Sequence, residues 1–200
     1  MALAFANIAF TPSVRAQQDR NGSSNYARFL LPDRSGGDSI GLAEAAFVEA
    51  RDGFYQATVS ETGWPYVQFR GGKPGFLHVL DPKTIAYADL RGNRQYISLG
   101  NLVSDARVSL ILMDYPNAQR LKIWGRATVA DPQAPEFDGL TADPEAPSPE
   151  RVIKMHVDAF DWNCPQHIPR RFTHGETVQR IEELERENAR LLSALNASTS

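Results

Sequence analysis

The run Tyr87-Ala88-Asp89-Leu90-Arg91-Gly92-Asn93-Arg94 sets two guanidiniums, a glycine and an asparagine between an apolar segment and a stretch that reads as a helix. This order of groups suits an anion. The first amides of a helix have no intrahelical acceptor, and the helix dipole favours negative charge at that end. A guanidinium can also grip a phosphate through two parallel hydrogen bonds. Arg70, closing another apolar run, is placed to add a third cation. The same residues equally suit a plain Asn-capped helix start near Asn93 with solvated arginines.

Other chemistries leave no signature. The chain contains no GxSxG, HExxH, paired CxxC, GxGxxG or Walker loop, which removes the usual marks of hydrolase, metalloenzyme and dinucleotide folds. Cys164 and His167 lie close in sequence, but two ligands are too few for a structural zinc. The remaining histidines, His78, His156 and His174, are scattered. No metal site is expected.

Composition narrows the classes further. With 200 residues, 42% hydrophobic and 22% charged, the chain is ordinary for a globular protein with a sizeable core. A net charge of -3 gives no reason to expect a nucleic acid or a membrane surface as partner. The single cysteine fits a reducing compartment, and a cytoplasmic location is the expectation. No apolar run approaches a membrane span. The apolar start, residues 1–10, lacks the positive charge that opens a signal peptide.

The elements that must position the loop are mostly strands. Residues 54–59, 65–70, 76–80, 84–88, 108–113 and 121–129 are dense in aromatic and β-branched residues and are mostly joined by short turns. Residues 151–160 add a further strand, in which Ile153, Met155 and Val157 alternate with Lys154, His156 and Asp158, and Val152 is the exception. Helices are predicted over 42–51 and 95–102. Short antiparallel strands at this spacing predict a barrel or sandwich. Residues 11–40 have no period and read as an extended arm, and the proline-rich 131–149 reads as a surface loop. The domain expectation is an arm over 1–40, a core domain over 41–172 and a C-terminal helix over 173–200.

That last helix opens with Thr173 and Glu176 as a capping box. Ile181, Leu184, Asn188, Leu191 and Leu195 then fall at a and d spacing, with Glu182, Glu183, Glu185, Arg186, Glu187 and Arg190 on the other faces. This pattern fits either a short two-stranded coiled coil or one amphipathic helix folded onto its own domain.

From Gly63 to Gly125 the chain resembles the pyridoxamine 5′-phosphate oxidase-like family of FMN-binding split barrels. The pieces carrying the likeness are Gly63-Trp64-Pro65-Tyr66, the run 67–73, the strand and loop 85–94, Ala106-Arg107-Val108-Ser109-Leu110, and 120–125, in that order. The resemblance implies a mainly β, antiparallel split barrel with flanking helices. It also implies FMN held between two protomers of a homodimer, and oxidoreductase chemistry on a small-molecule substrate or with a nicotinamide electron donor. By position, Gln68, Phe69 and Arg70 lie along the flavin ring and ribityl chain, and Tyr87 and Ala88 flank it. Asn93 and Arg94 meet the phosphate, and Arg120 approaches from the other subunit. Trp162 and Gln166, with Asn163, are placed to close over the flavin.

The departures are specific. Gln68 stands where the family's oxidases have arginine, and Gly71-Gly72 where they have an aliphatic pair. Gly92-Asn93-Arg94 replaces Ser-Arg-Lys, and the C-terminal Trp and Arg motif is absent. Pyridoxamine phosphate is therefore not expected as the substrate. A flavin- or haem-binding protein without catalysis and a deazaflavin-dependent reductase stand as alternatives.

Overall fold

Strands of alternating character build the centre of this molecule. In the computed structural model, which describes residues 3–31, 35–141, 148–162 and 164–198, seven strands form one antiparallel sheet. They are β1 (Gly53–Val59), β2 (Pro65–Gly71), β3 (Leu77–Asp81), β4 (Thr84–Asp89), β5 (Arg107–Asp114), β6 (Gln119–Ala130) and β7 (Arg151–Trp162). Their spatial order is β2-β1-β5-β6-β7-β4-β3. The fold is the expected mainly β split barrel with flanking helices.

The core follows the period of two. Val108, Leu110 and Leu112 of β5 point inward with Leu121, Ile123 and Ala127 of β6 and Ile153, Met155 and Val157 of β7. Val152 breaks the alternation for a reason: it belongs to a second small cluster with Ala86 and Phe137. The β6–β7 pairing slips by one residue between Trp124 and Gly125. At Gly125 a side chain would run into the backbone carbonyl of His156, so the bulge needs the missing Cβ.

The described residues also form helices. They are α1 (Leu3–Ala9), α2 (Pro12–Arg20), α3 (Leu42–Glu49), α4 (Ile97–Ser104), the short α5 (Asp138–Thr141) and α6 (His174–Ser198). Residues 11–40 are thus not simply an extended arm. Thr11 caps α2 by accepting the Val14 amide, Pro12 occupies the first helical turn, and Ser24–Leu30 forms a 3-10 helix. No residue of α2 is buried, so its sequence carries no apolar period to read. Ahead of it, α1 buries Phe5, which stacks on Trp124 at 4.5 Å between ring centroids.

The second predicted helix, α4, begins at Ile97 rather than near Asn93. Asn93 is taken up locally instead, its Oδ1 accepting the Gln95 amide at 3.1 Å. Arg94 and Tyr96 both stand at positive φ, 63° and 53°, so the loop reaches the helix through left-handed conformations.

The chain divides into two units, Met1–Asp114 with Gln119–Pro165, and Tyr115–Ala118 with Gln166–Ser200. The second carries α6. Its capping box forms as the sequence indicates: Glu176 accepts the Thr173 amide at 2.7 Å, and Thr173 Oγ1 accepts the Glu176 amide at 3.2 Å. Among the described residues no helix is long and apolar enough to cross a membrane.

Candidate functional site

Four elements and one loop border a cavity of about 380 Å³ in the first unit, within the range of small-molecule sites. β2 contributes Tyr66, Gln68, Phe69 and Arg70. β4 contributes Tyr87, Ala88 and Asp89. Residues 90–96 form one wall, and the first turn of α4 closes the end with Ile97, Ser98 and Leu99. Glu150 and Arg151 complete the lining at the start of β7.

Strand register decides which charges meet. Pairing β4 with β7 sets Asp89 opposite Arg151. The Asp89 carboxylate accepts from Arg151 Nη1 at 2.8 Å through Oδ2 and from Arg70 Nη1 through Oδ1. Asp89 is 3% exposed, so this is a buried carboxylate between two guanidiniums. Arg151 Nη2 also donates to Glu150 at 2.7 Å, and the Tyr96 hydroxyl donates to the same carboxylate at 3.3 Å. Arg70 and Arg151 lie over the rings of Tyr87 and Tyr96, at 5.7 and 5.2 Å from the centroids.

Four arginines and two carboxylates line the cavity, so it carries excess positive charge. Arg94 has no carboxylate partner among the described residues. The Ile97, Ser98 and Leu99 amides likewise have no acceptor among the described residues, and Tyr96 gives α4 no side-chain cap. Unclaimed helix amides beside a free guanidinium make an anion-binding corner. Buried Arg70 Nε is a further unpartnered donor.

Neutral hydrogen bonds fix the elements that carry the wall. Ser98 Oγ donates to Gln68 Oε1 at 2.7 Å, tying α4 to β2. Asn101 Nδ2 donates to Thr58 Oγ1 at 2.9 Å, tying it to β1. The Tyr87 hydroxyl donates to buried Gln56 at 2.9 Å. Burial pushes the Tyr87 phenol far above its usual range, so it stays protonated and serves as a hydrogen-bond donor rather than a base. No histidine or cysteine lines the cavity, and no cluster of potential metal ligands occurs among the described residues.

Of the residues singled out in the sequence, Gln68, Phe69, Arg70, Tyr87, Ala88, Asn93 and Arg94 come together at this cavity. Arg120, Trp162 and Gln166 do not line it. Arg120 Nη2 donates to the Cys164 carbonyl at 3.3 Å. Trp162 Nε1 donates to Glu44 at 2.8 Å, and its ring packs edge-on against Phe47. Gln166 is an exposed turn residue in the second unit, and Asn163 lies outside the described residues. Arg70 is not a spare phosphate cation, because Asp89 occupies it. Arg151, Glu150 and Ser98 escaped the sequence reading. Arg151 sits 62 residues from Asp89, and only strand pairing brings the two together. Gly71 and Gly72 also gain a reason: side chains there would collide with the rings of Phe69 and Phe76.

Residues 43–164 match the family model for pyridoxamine 5′-phosphate oxidase. The chain belongs to this family. The match runs from α3 through the end of β7, so it includes every residue that lines the cavity. No curated protein sequence matches the chain significantly. Among solved structures, HupZ of Group A Streptococcus is similar at 16% identity, over 66% of this chain and 99% of that one, with a TM-score of 0.51. A putative pyridoxamine 5′-phosphate oxidase of Lactobacillus delbrueckii is similar at 19% identity, over 62% of this chain and 94% of that one, with a TM-score of 0.48. An FMN-binding protein of Syntrophomonas wolfei is similar at 14% identity, over 76% and 95% of the two chains, with a TM-score of 0.45. At such identities the likeness to HupZ supports the shared fold of this family and nothing narrower.

Proposed function

We propose that this protein binds FMN in the cavity between β2, β4 and α4 and acts as an FMN-dependent oxidoreductase. The observation that carries the reading is the anion corner: the unpaired Arg94 guanidinium and the open amides of Ile97, Ser98 and Leu99, inside the segment that matches the family. The donor set fits a phosphate ester at that end. Toward the other end, Gln68, Phe69, Tyr66 and the backbone of Tyr87 and Ala88 offer an amide, aromatic faces and main-chain groups suited to a flat heterocycle.

Bound FMN would supply hydride or electron transfer at its ring. The protein's own part is to hold and orient. Arg94 and the α4 amides take the anionic end. Gln68 is held in place by Ser98, so its amide is pre-oriented toward the cavity. The Arg70 charge is largely balanced by Asp89, which reduces its pull on the electronics of the ring. No group in the wall is placed as a general base, and a nicotinamide donor that delivers hydride directly needs none.

A homodimer is part of the proposal. Tyr55, Val67, Phe69 and Ile111 lie on β1, β2 and β5, are mostly exposed and are joined by register, Tyr55 facing both Phe69 and Ile111. This apolar face borders the cavity through Phe69, and a second copy seated on it is the kind of pairing in which the family resemblance sets Arg120 and the Trp162 segment of the other subunit against the flavin. The haem alternative is less well supported, because His78, His156 and His167 do not line the cavity. The test is absorbance and mass analysis of the small molecule that copurifies. The proposal expects yellow protein that releases FMN. Colourless protein that also ignores added FMN would overturn it.

A further inference from the structure

The heptads of α6 are on the surface. Every residue with a described side chain from Arg171 to the end of α6 is exposed, including Ile181, Leu184, Leu191 and Leu195 at 50%, 48%, 52% and 60%. α6 is 25 residues long and carries this apolar stripe on one side, and an isolated helix in water is marginal. A stripe of this kind calls for a partner, and the residues around it specify one.

We propose that α6 pairs in parallel and in register with α6 of a second copy of this chain. In the heptad frame, Ile181, Asn188 and Leu195 occupy a positions, Leu184 and Leu191 occupy d positions, Arg180 and Glu187 occupy g, and Glu185 and Leu192 occupy e. Parallel pairing places Arg180 of each helix beside Glu185 of the other, an attractive g-to-e pair on both sides of the seam. Within one helix Arg180 pairs with Glu183, Arg186 with Glu182 and Arg190 with Glu187, so joining the helices asks Arg180 to exchange the exposed Glu183 for Glu185 of the other copy. Leu192 at e widens the apolar seam toward the C-terminal end.

Asn188 sets the orientation. In a parallel pair it meets Asn188 of the other helix, and each side-chain amide donates to the other's carbonyl. In a fully overlapped antiparallel pair Asn188 would face Leu184, stranding an amide against a leucine. The pairing rests on the helix alone. It holds whether or not the cavity binds FMN, and whether or not the barrel faces also associate.

The test is disulfide trapping in the full-length chain with its exposed native thiol removed by Cys164→Ser. Leu191→Cys places thiols at the d position, where parallel helices bring the two Cα atoms within disulfide reach. Ser193→Cys, on the outermost face of the helix, is the control. Cross-linked dimer from Leu191→Cys is expected to form roughly tenfold or more faster than from Ser193→Cys, because seam thiols share a high effective concentration. Equal rates, or no cross-linking from either, would overturn the proposal. So would a mixture in which Ile181→Cys chains join Leu191→Cys chains faster than like joins like, the outcome expected of antiparallel helices.

Discussion

Asp89 engages two guanidiniums at once, and this governs how much positive charge the cavity has to offer. Its two oxygens separately hold Arg70 and Arg151, and all three side chains are largely buried, with 4%, 19% and 18% exposure. Removing the carboxylate leaves two cations facing each other with little solvent. Asp89→Ala is expected to cost about 3–5 kcal/mol of folding stability, read as a lower urea midpoint with unchanged m-value. Arg94 is the opposite case, exposed and unpaired. Arg94→Ala is expected to leave the urea midpoint alone and to weaken FMN by about 1.5–3 kcal/mol, measured by quenching of flavin fluorescence. Unchanged affinity would move the phosphate elsewhere in the cavity. The sequence exposes Arg94 because loop, glycine and helix are contiguous. It hides the role of Arg70, because a guanidinium that neutralises a buried aspartate reads the same as one that awaits a ligand.

At the scale of elements, period was the readable signal. Strands with one face buried announce themselves by alternation, as β5 does through Val108, Leu110 and Leu112. An exposed helix such as α2 announces nothing. α4 starts later than the loop composition suggests because Asn93 serves as a turn closer rather than a cap. Two predictions belong here. Gly125→Ala forces a Cβ into the His156 carbonyl at the β6–β7 bulge and is expected to destabilise by about 1–3 kcal/mol, measured by thermal unfolding. The second concerns the join between α4 and β5. There, side-chain and backbone hydrogen bonds from Arg107 hold the Asp105 carboxyl at about 2, against an ordinary 3.8. A folded value below the unfolded one means the aspartate's contribution is complete above about pH 4 and drains away as pH falls through 2. NMR titration of the Asp105 carboxyl carbon should place its midpoint near 2. A midpoint near 3.8 would show that the Arg107 pairing does not persist in solution.

For the whole molecule, the decisive fact is where β7 goes. It enters the sheet between β6 and β4, and that insertion carries Arg151 and Glu150 to the cavity. No local pattern in the sequence contains this strand order. The family resemblance carried the barrel, and the structure supplied the charges that the barrel brings together. What the cavity then offers is a polar pocket with one anion corner. That corner is the proposed phosphate site. It is tested most directly by titrating apo-protein with FMN and, in parallel, with riboflavin, which has the same ring and no phosphate. FMN is expected to bind at least about tenfold more tightly, since a charge-assisted hydrogen bond contributes about 1.5 kcal/mol or more, with the difference shrinking in Arg94→Ala. Equal affinities for the two flavins, or binding of neither, would contradict it.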